Sequence, residues 1–229
     1  MRWFGYGQSH RRGIFKMKIT ILTSSKEHPV NIWLHRWINE HATNHQIELI
    51  HNKKEIVGGD LLFLISCSEF ISRKFRDKFK KTLVLHASDL PQGRGWSPHI
   101  WEILKGSENI TLSLLEAEDM IDSGYIWKKT QVHIPKTALF DEINQIIFEA
   151  ELNLMSFAVE NFQTIQPVAQ NEEGASYWPK RTPQDSEVDI NLSLNDQFDL
   201  IRVCDPQRYP AFFYKDGKKF KLIIENADE

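Results

Sequence analysis

Cysteine is almost missing from this chain: among 229 residues only Cys67 and Cys204 carry thiols, far apart and in no ligand-like spacing. That scarcity excludes a disulfide framework and a cysteine-based zinc module, and it points to buried, reduced thiols in a cytoplasmic protein. Long apolar runs are missing too. None approaches the ~20 residues that a helix needs to cross a bilayer, so no membrane partner is expected. Charge of one sign is equally lacking, with 28 lysines and arginines against 31 aspartates and glutamates and a formal net charge of −3. Proteins that hold a polyanion through its phosphates ordinarily carry a cationic excess, which argues against nucleic acid as the partner. His35, His41, His99 and His133 form no metal-ligand grouping, so no metal is expected. What remains, 41% hydrophobic and 26% charged residues without repeats or low-complexity tracts, has the proportions of one α/β domain with a small appendage.

Residues 1–16 carry Arg2, Arg11, Arg12 and Lys16 with no acid, and they lack the apolar core of a signal peptide. They read as a disordered extension, with a catalytic domain over 17–163. Its strands are expected over 18–23, 47–50, 60–65, 109–115 and 125–134. A helix follows Pro29, with Trp33, Leu34, Trp37 and Ile38 on one core-facing side. A basic helix is expected over 70–80, its run of Arg73, Lys74, Arg76, Lys78, Lys80 and Lys81 facing solvent. A long amphipathic helix spans 138–163. Residues 164–176, polar and aperiodic, read as a linker to a small subdomain over 177–229. That subdomain holds a short helix at 195–204 and a hairpin about Asp216-Gly217.

The chain is organised around residues 83–101, LVLHASDLPQGRGWSPHIW, and residues 120–124, MIDSG. A short apolar strand stops at His86. Ser88 to Pro91 then form a turn, Arg94-Gly95 a loop, and Ser97-Pro98 open a helix. An apolar run ending in polar residues, with proline and glycine after it, is how a strand end presents groups at the rim of an α/β sheet, where such sheets bind ligands. On the residues alone, a structural and a catalytic His86 are equally supported.

The pattern resembles the signature of the folate-dependent formyltransferases, in which a strand leads into Asn-x-His-x-Ser-x-Leu-Pro, then Arg-Gly, and later Asp-x-Gly. His86, Ser88, Leu90, Pro91, Arg94, Gly95, Asp122 and Gly124 match it in order, whereas Val84 stands where the family has asparagine. The resemblance implies a Rossmann-like α/β fold with a central, mostly parallel sheet and a small β-containing C-terminal subdomain. It also implies 10-formyltetrahydrofolate as the formyl donor. His86 and Asp122 would form the acid/base pair. Ser88 or a backbone N–H would replace the oxyanion donor that valine cannot supply, a kind of contact worth about 3 kcal/mol. Folate is expected against residues 65–70, at Ser66, Cys67, Ser68 and Phe70, and against residues 116–121, at Glu118, Asp119 and Met120.

Members of that family differ in the amine they formylate. The run from Tyr177 resembles the region beyond the catalytic domain in tRNA and sugar enzymes, and it is shorter than the barrel expected of a tRNA enzyme. The form HASDLPQGRGWSPHIWEIL, with Trp96 after Arg-Gly, looks most like the sugar N-formyltransferases of nonulosonic-acid (pseudaminic-type) pathways. That likeness implies a UDP-linked 4-amino-4,6-dideoxy sugar as acceptor. A compact methionyl-tRNA formyltransferase and a non-catalytic nucleotide-sugar-binding protein are the alternatives. A nucleotide sugar asks for a stacking aromatic and for cations on its pyrophosphate. Trp178, Tyr209 and Phe213 are the candidate stacking aromatics, with Trp96 also expected at the substrate; Arg94, Lys180, Arg181 and Arg202 are the candidate cations, with Gly95 shaping the loop. The partners expected are therefore a nucleotide sugar and folate, and a homodimer is left open.

Overall fold

The structure, a computed structural model, describes residues 16–227, so the extension expected over 1–16 lies outside them apart from Lys16. In chain order the elements are β1 (Lys18–Leu22), α1 (Val30–His41), β2 (Gln46–Ile50), β3 (Gly59–Leu64), α2 (Arg73–Arg76), β4 (Phe79–His86), β5 (Arg94–Gly95), α3 (Pro98–Leu104), β6 (Asn109–Glu116) and β7 (Ile126–His133). Then come α4 (Phe140–Asn161), β8 (Tyr177–Trp178), α5 (Leu194–Arg202), β9 (Ala211–Lys215) and β10 (Lys218–Leu222). The main sheet runs β2-β1-β3-β4-β6-β7. It is parallel from β2 to β4 and antiparallel from β4 onward.

Continuous apolar sequence puts β1 and β3 in the middle, buried on both faces as covered strands must be. α1 and α4 lie against the sheet, their apolar stripes joining one core that includes Leu34, Trp37, Ile147 and Met155. Trp37 is core, as its spacing predicts, and its indole N–H donates to Ser156 Oγ at 2.9 Å. Because the first four strands of the sheet run parallel, their carboxyl ends share one rim. β6 runs antiparallel to β4, from beside His86 down to Leu83, and the loop that follows it comes back to that rim at Asp122.

The basic helix expected over 70–80 is confined to α2, and Phe79 already begins β4. Phe79, Thr82, Leu83 and Leu85 are buried, and Gly59 pairs with Phe79 at the start of the β3–β4 ladder. Burial of apolar residues along a paired strand outweighs the helix preference of the lysines between them. Nor is the basic run only a solvated face. Arg76 is buried, donating to the Ile71 carbonyl at 2.8 Å and to Asp119 Oδ1 at 2.6 Å.

Beyond α4, Val188, Ile201, Cys204 and Ala211 form a small core of their own. β9 and β10 make the expected hairpin, with Asp216 and Gly217 at φ +51° and +75° as a type I′ turn requires. This part is joined to the main body by parallel pairing of β5 with β8, Arg94 opposite Tyr177 and Gly95 opposite Trp178. Gly95, at φ +99°, allows that approach, since a Cβ there would stand 2.5 Å from the Trp178 carbonyl oxygen. Among the described residues no helix is long and apolar enough to cross a membrane.

Candidate active site

His86 is the last residue of β4, and Asp122 lies in the loop between β6 and β7. The structure brings them together: His86 Nδ1 stands 3.6 Å from Asp122 Oδ2, with side chains only 7% and 9% exposed. The other ring nitrogen, Nε2, faces the Gly93 carbonyl at 2.8 Å. A carbonyl only accepts, so Nε2 carries the hydrogen and Nδ1 of the neutral ring is the basic atom, aimed at the carboxylate. At 3.6 Å the two do not hydrogen-bond, leaving a gap that an incoming N–H can bridge. Asp122 Oδ2 also accepts the Gly95 backbone N–H at 2.9 Å, which fixes the carboxylate from the side of the Arg-Gly loop. Asp122 itself sits at φ +54°, in the left-handed region.

Gly124 is the close-approach position of this loop, because a Cβ there would overlap the Glu116 carbonyl. Ser88, two residues after His86, is buried. Its carbonyl accepts from Ser113 Oγ at 2.7 Å, and its own hydroxyl has no partner among the described residues. Val84 is half-buried and packs on the smaller core formed with Leu62 and Leu64. The pKa of half-buried His99, in the first turn of α3, is pushed down to about 4, first by burial and then by its nearness to the ionisable His86 and His28 rings and to Arg181. It is therefore neutral at physiological pH.

The loops expected to hold folate flank this centre. Ser66, at φ +46°, and Ser68 and Phe70 are exposed, and Cys67 is half-buried. Ser24 Oγ donates to Cys67 Sγ at 3.5 Å and accepts the Ser68 N–H at 2.9 Å. Burial pushes the Cys67 thiol up. Glu118, Asp119 and Met120 are exposed on the other loop, and Arg76 ties the two loops together through Ile71 and Asp119.

Two cations expected to meet phosphates are otherwise engaged. Arg94 is fully buried, paired with both oxygens of Glu172 at 2.9 and 2.8 Å and donating to Gln170 Oε1 at 2.8 Å. Its partner carboxylate raises its pKa further and is itself held below the usual carboxylate range. Arg202 is also buried, donating through Nε to Asp199 and through Nη1 to the Pro135 and Ala138 carbonyls. Burial closes both guanidinium groups off from solvent. Trp178 is likewise occupied, stacked on Trp101 at 5.4 Å with Lys105 Nζ 4.1 Å from its ring centre. By contrast Trp96 is 38% exposed, with Lys180 Nζ 4.6 Å from its ring. Arg181 is half-exposed and donates to the Asp185 carbonyl, and Tyr209 is exposed beside Arg208.

The residues that the sequence pattern left unmarked come from 164–176. Gln170 and Glu172 reach Arg94, and Ser176 Oγ accepts the Gly93 N–H at 2.9 Å. The stretch read as a linker is thus one wall of the site. A polar, aperiodic run carries no periodic signal for such a role, and only the conformational need of the facing Gly95 hinted at a close neighbour.

Residues 17–159 match the family model described as formyl transferase. The chain belongs to that family. Methionyl-tRNA formyltransferase of Protochlamydia amoebophila is 27% identical over 174 residues, covering 73% of this chain and 54% of that protein. This family member spans about half the length of several of the curated relatives it matches. Among solved structures, methionyl-tRNA formyltransferase from Clostridium thermocellum superposes with a TM-score of 0.79 at 24% identity, over 93% of this chain and 94% of that one. HypX from Aquifex aeolicus, in complex with tetrahydrofolic acid, gives 0.74 at 21% identity over 92% of this chain and 38% of that one. A 4-N formyltransferase from Francisella tularensis gives 0.69 at 17% identity over 93% and 99%. What these structures share with the present chain is its Rossmann-like formyltransferase fold.

Proposed function

We propose that the chain transfers the formyl group of 10-formyltetrahydrofolate to the amino group of a nucleotide-linked 4-amino-4,6-dideoxy sugar, UDP-linked and serving a nonulosonic-acid pathway in the cytoplasm. The observation that carries this reading is the pairing of His86 and Asp122, with Nδ1 left as the basic atom. The acceptor nitrogen attacks the formyl carbon and gives its proton to Nδ1, and Asp122 stabilises the imidazolium that results. The imidazolium returns that proton to N10 of the folate as the C–N10 bond breaks, so protons and electrons balance. Ser88 Oγ, buried and unpartnered, is the donor proposed for the oxyanion in place of the family's amide.

Folate is proposed to lie against Ser66, Cys67, Ser68 and Phe70 on one loop and Glu118, Asp119 and Met120 on the other. For the nucleotide, Trp96 offers a partly exposed aromatic ring with Lys180 over it, and Arg181 offers further charge. The HASDLPQGRGW motif, the modest net charge of −3 and the likeness to the Francisella 4-N formyltransferase favour a sugar acceptor. A methionyl-tRNA acceptor is the second reading. It is favoured by the curated relatives and by Lys215, Lys218, Lys219 and Lys221 along the β9–β10 hairpin.

The deciding assay incubates the protein with 10-formyltetrahydrofolate and either a UDP-4-amino-4,6-dideoxy sugar or methionyl-tRNA. Formylation of the sugar, nearly independent of salt, is the expected result. Formylation of the tRNA alone, falling steeply between about 50 and 200 mM salt, would replace this reading with the second.

A further inference from the structure

We infer that Gln170 is a positioning residue: it holds Asp122 in the backbone conformation that turns the carboxylate toward His86, and buried Arg94 sets the direction of the Gln170 amide. A non-glycine residue occupies the left-handed region stably only where its surroundings over-determine it, and Asp122 is such a residue. Gln170 Nε2 donates to the Asp122 and Gly124 carbonyls, both at 2.8 Å, pinning the chain on either side of Ser123. Its Oε1 accepts from Arg94 Nη2 at 2.8 Å. A guanidinium only donates, so the amide has one orientation. Reversed, it would set an NH2 group against the guanidinium and an oxygen against two carbonyls.

Arg94 cannot easily move, because it is fully buried and gripped by Glu172 and Tyr177. The residue after it, Gly95, donates its backbone N–H to Asp122 Oδ2. The catalytic carboxylate is thus held at both ends from one buried cation, by the Gln170 amide at its backbone and by the Gly95 amide at its oxygen. Nothing in this arrangement requires Gln170 to touch a substrate.

Two variants test the inference. Gln170→Glu keeps an acceptor for Arg94 but loses both donors to the loop; Gln170→Met loses everything. Should the second fail to fold, the first, which still offers Arg94 an acceptor, carries the test. Hydrogen exchange of the Gly95 amide reports whether Asp122 Oδ2 is still in place. It is expected to speed up at least about tenfold in both variants while amides of α4 keep their protection. The kinetic arm rests on the proposed formyl transfer. With whichever acceptor the wild type uses, kcat is expected to fall about 100-fold while KM for 10-formyltetrahydrofolate changes less than about twofold. Unchanged exchange at Gly95, or unchanged kcat in an active enzyme, overturns the inference. If the wild type formylates neither acceptor, the functional reading fails, and Gly95 exchange alone still decides the role of Gln170.

Discussion

The two walls of the site are held in place by different means. His86 stands on a strand paired on both sides, with β3 and β6, so its position is set by backbone ladders. The facing wall, residues 168–178, has no sheet behind it. It is fixed by the short β5–β8 pairing, one bridge between Ile126 and Val168, and side chains converging on Arg94. His86, the proposed base, is therefore placed by the fold as a whole, and its carboxylate partner Asp122 by a few hydrogen bonds that single substitutions can remove. At the first wall a reacting group can be removed without unfolding, whereas at the second the loss of a few hydrogen bonds is expected to misplace Asp122 and slow the proposed reaction.

The largest effect should come from removing the chemistry while both walls stand. His86→Asn is expected to lower formyl transfer by about 1,000-fold with little change in melting temperature. Transfer retained in that variant would break the assignment of the base to the sheet wall. Next comes separation of the walls. Gly95→Ala puts a side chain at a left-handed position and against the Trp178 carbonyl, and it should cost about 3 kcal/mol in denaturant unfolding. An unaltered midpoint would show that β5–β8 pairing is not what joins them.

A change behind the sheet wall sharpens the contrast. Glu151, on α4, is buried with one carboxylate oxygen unpartnered, and burial pushes its pKa from 4.5 up to about 8. The fold favours the neutral acid, so its stability is fully present below pH 4.5 and declines as pH rises toward about 8, where the folded form ionises. Glu151→Gln should then gain on the order of 2 kcal/mol near pH 7 and nothing near pH 4, as read from urea unfolding at both pH values. An equal difference at the two would refute the unpaired acid. The smallest effect belongs to Glu172→Gln. That side chain is itself exposed and its amide oxygen still accepts from Arg94, so melting should shift slightly and the shift should shrink with added salt. A shift as large as that of Gly95→Ala would mean that the ion pair, rather than the backbone pairing, closes the site.

Much of the fold and half of the site were legible in the residues. Apolar runs marked β1 and β3, and Asp216-Gly217 marked the hairpin. The His86 and Asp122 positions were marked by a motif whose spacing is itself a local property. The start of β4 was not legible, because Phe79-Lys80-Lys81-Thr82 becomes a strand only through pairing with β3. The two arginines misread as ligand cations show the same limit. What Arg94 does is decided by Glu172, whose place beside it no local pattern records. Arg202 was more accessible, since its partner Asp199 lies one helical turn back on α5. A guanidinium's role depends on which acceptor reaches it first, and that is settled by three-dimensional proximity.

The β5–β8 pairing also bears on how the protein comes into being on the ribosome. Every strand of the main sheet precedes α4, while Gln170, Glu172 and Trp178 follow it. A nascent chain can therefore complete its sheet with His86 already in place and still lack the grip on Asp122. On the proposed function, reactivity would wait until the stretch through Trp178 has emerged and docked, so half-made chains would carry the sheet and His86 without a fixed Asp122.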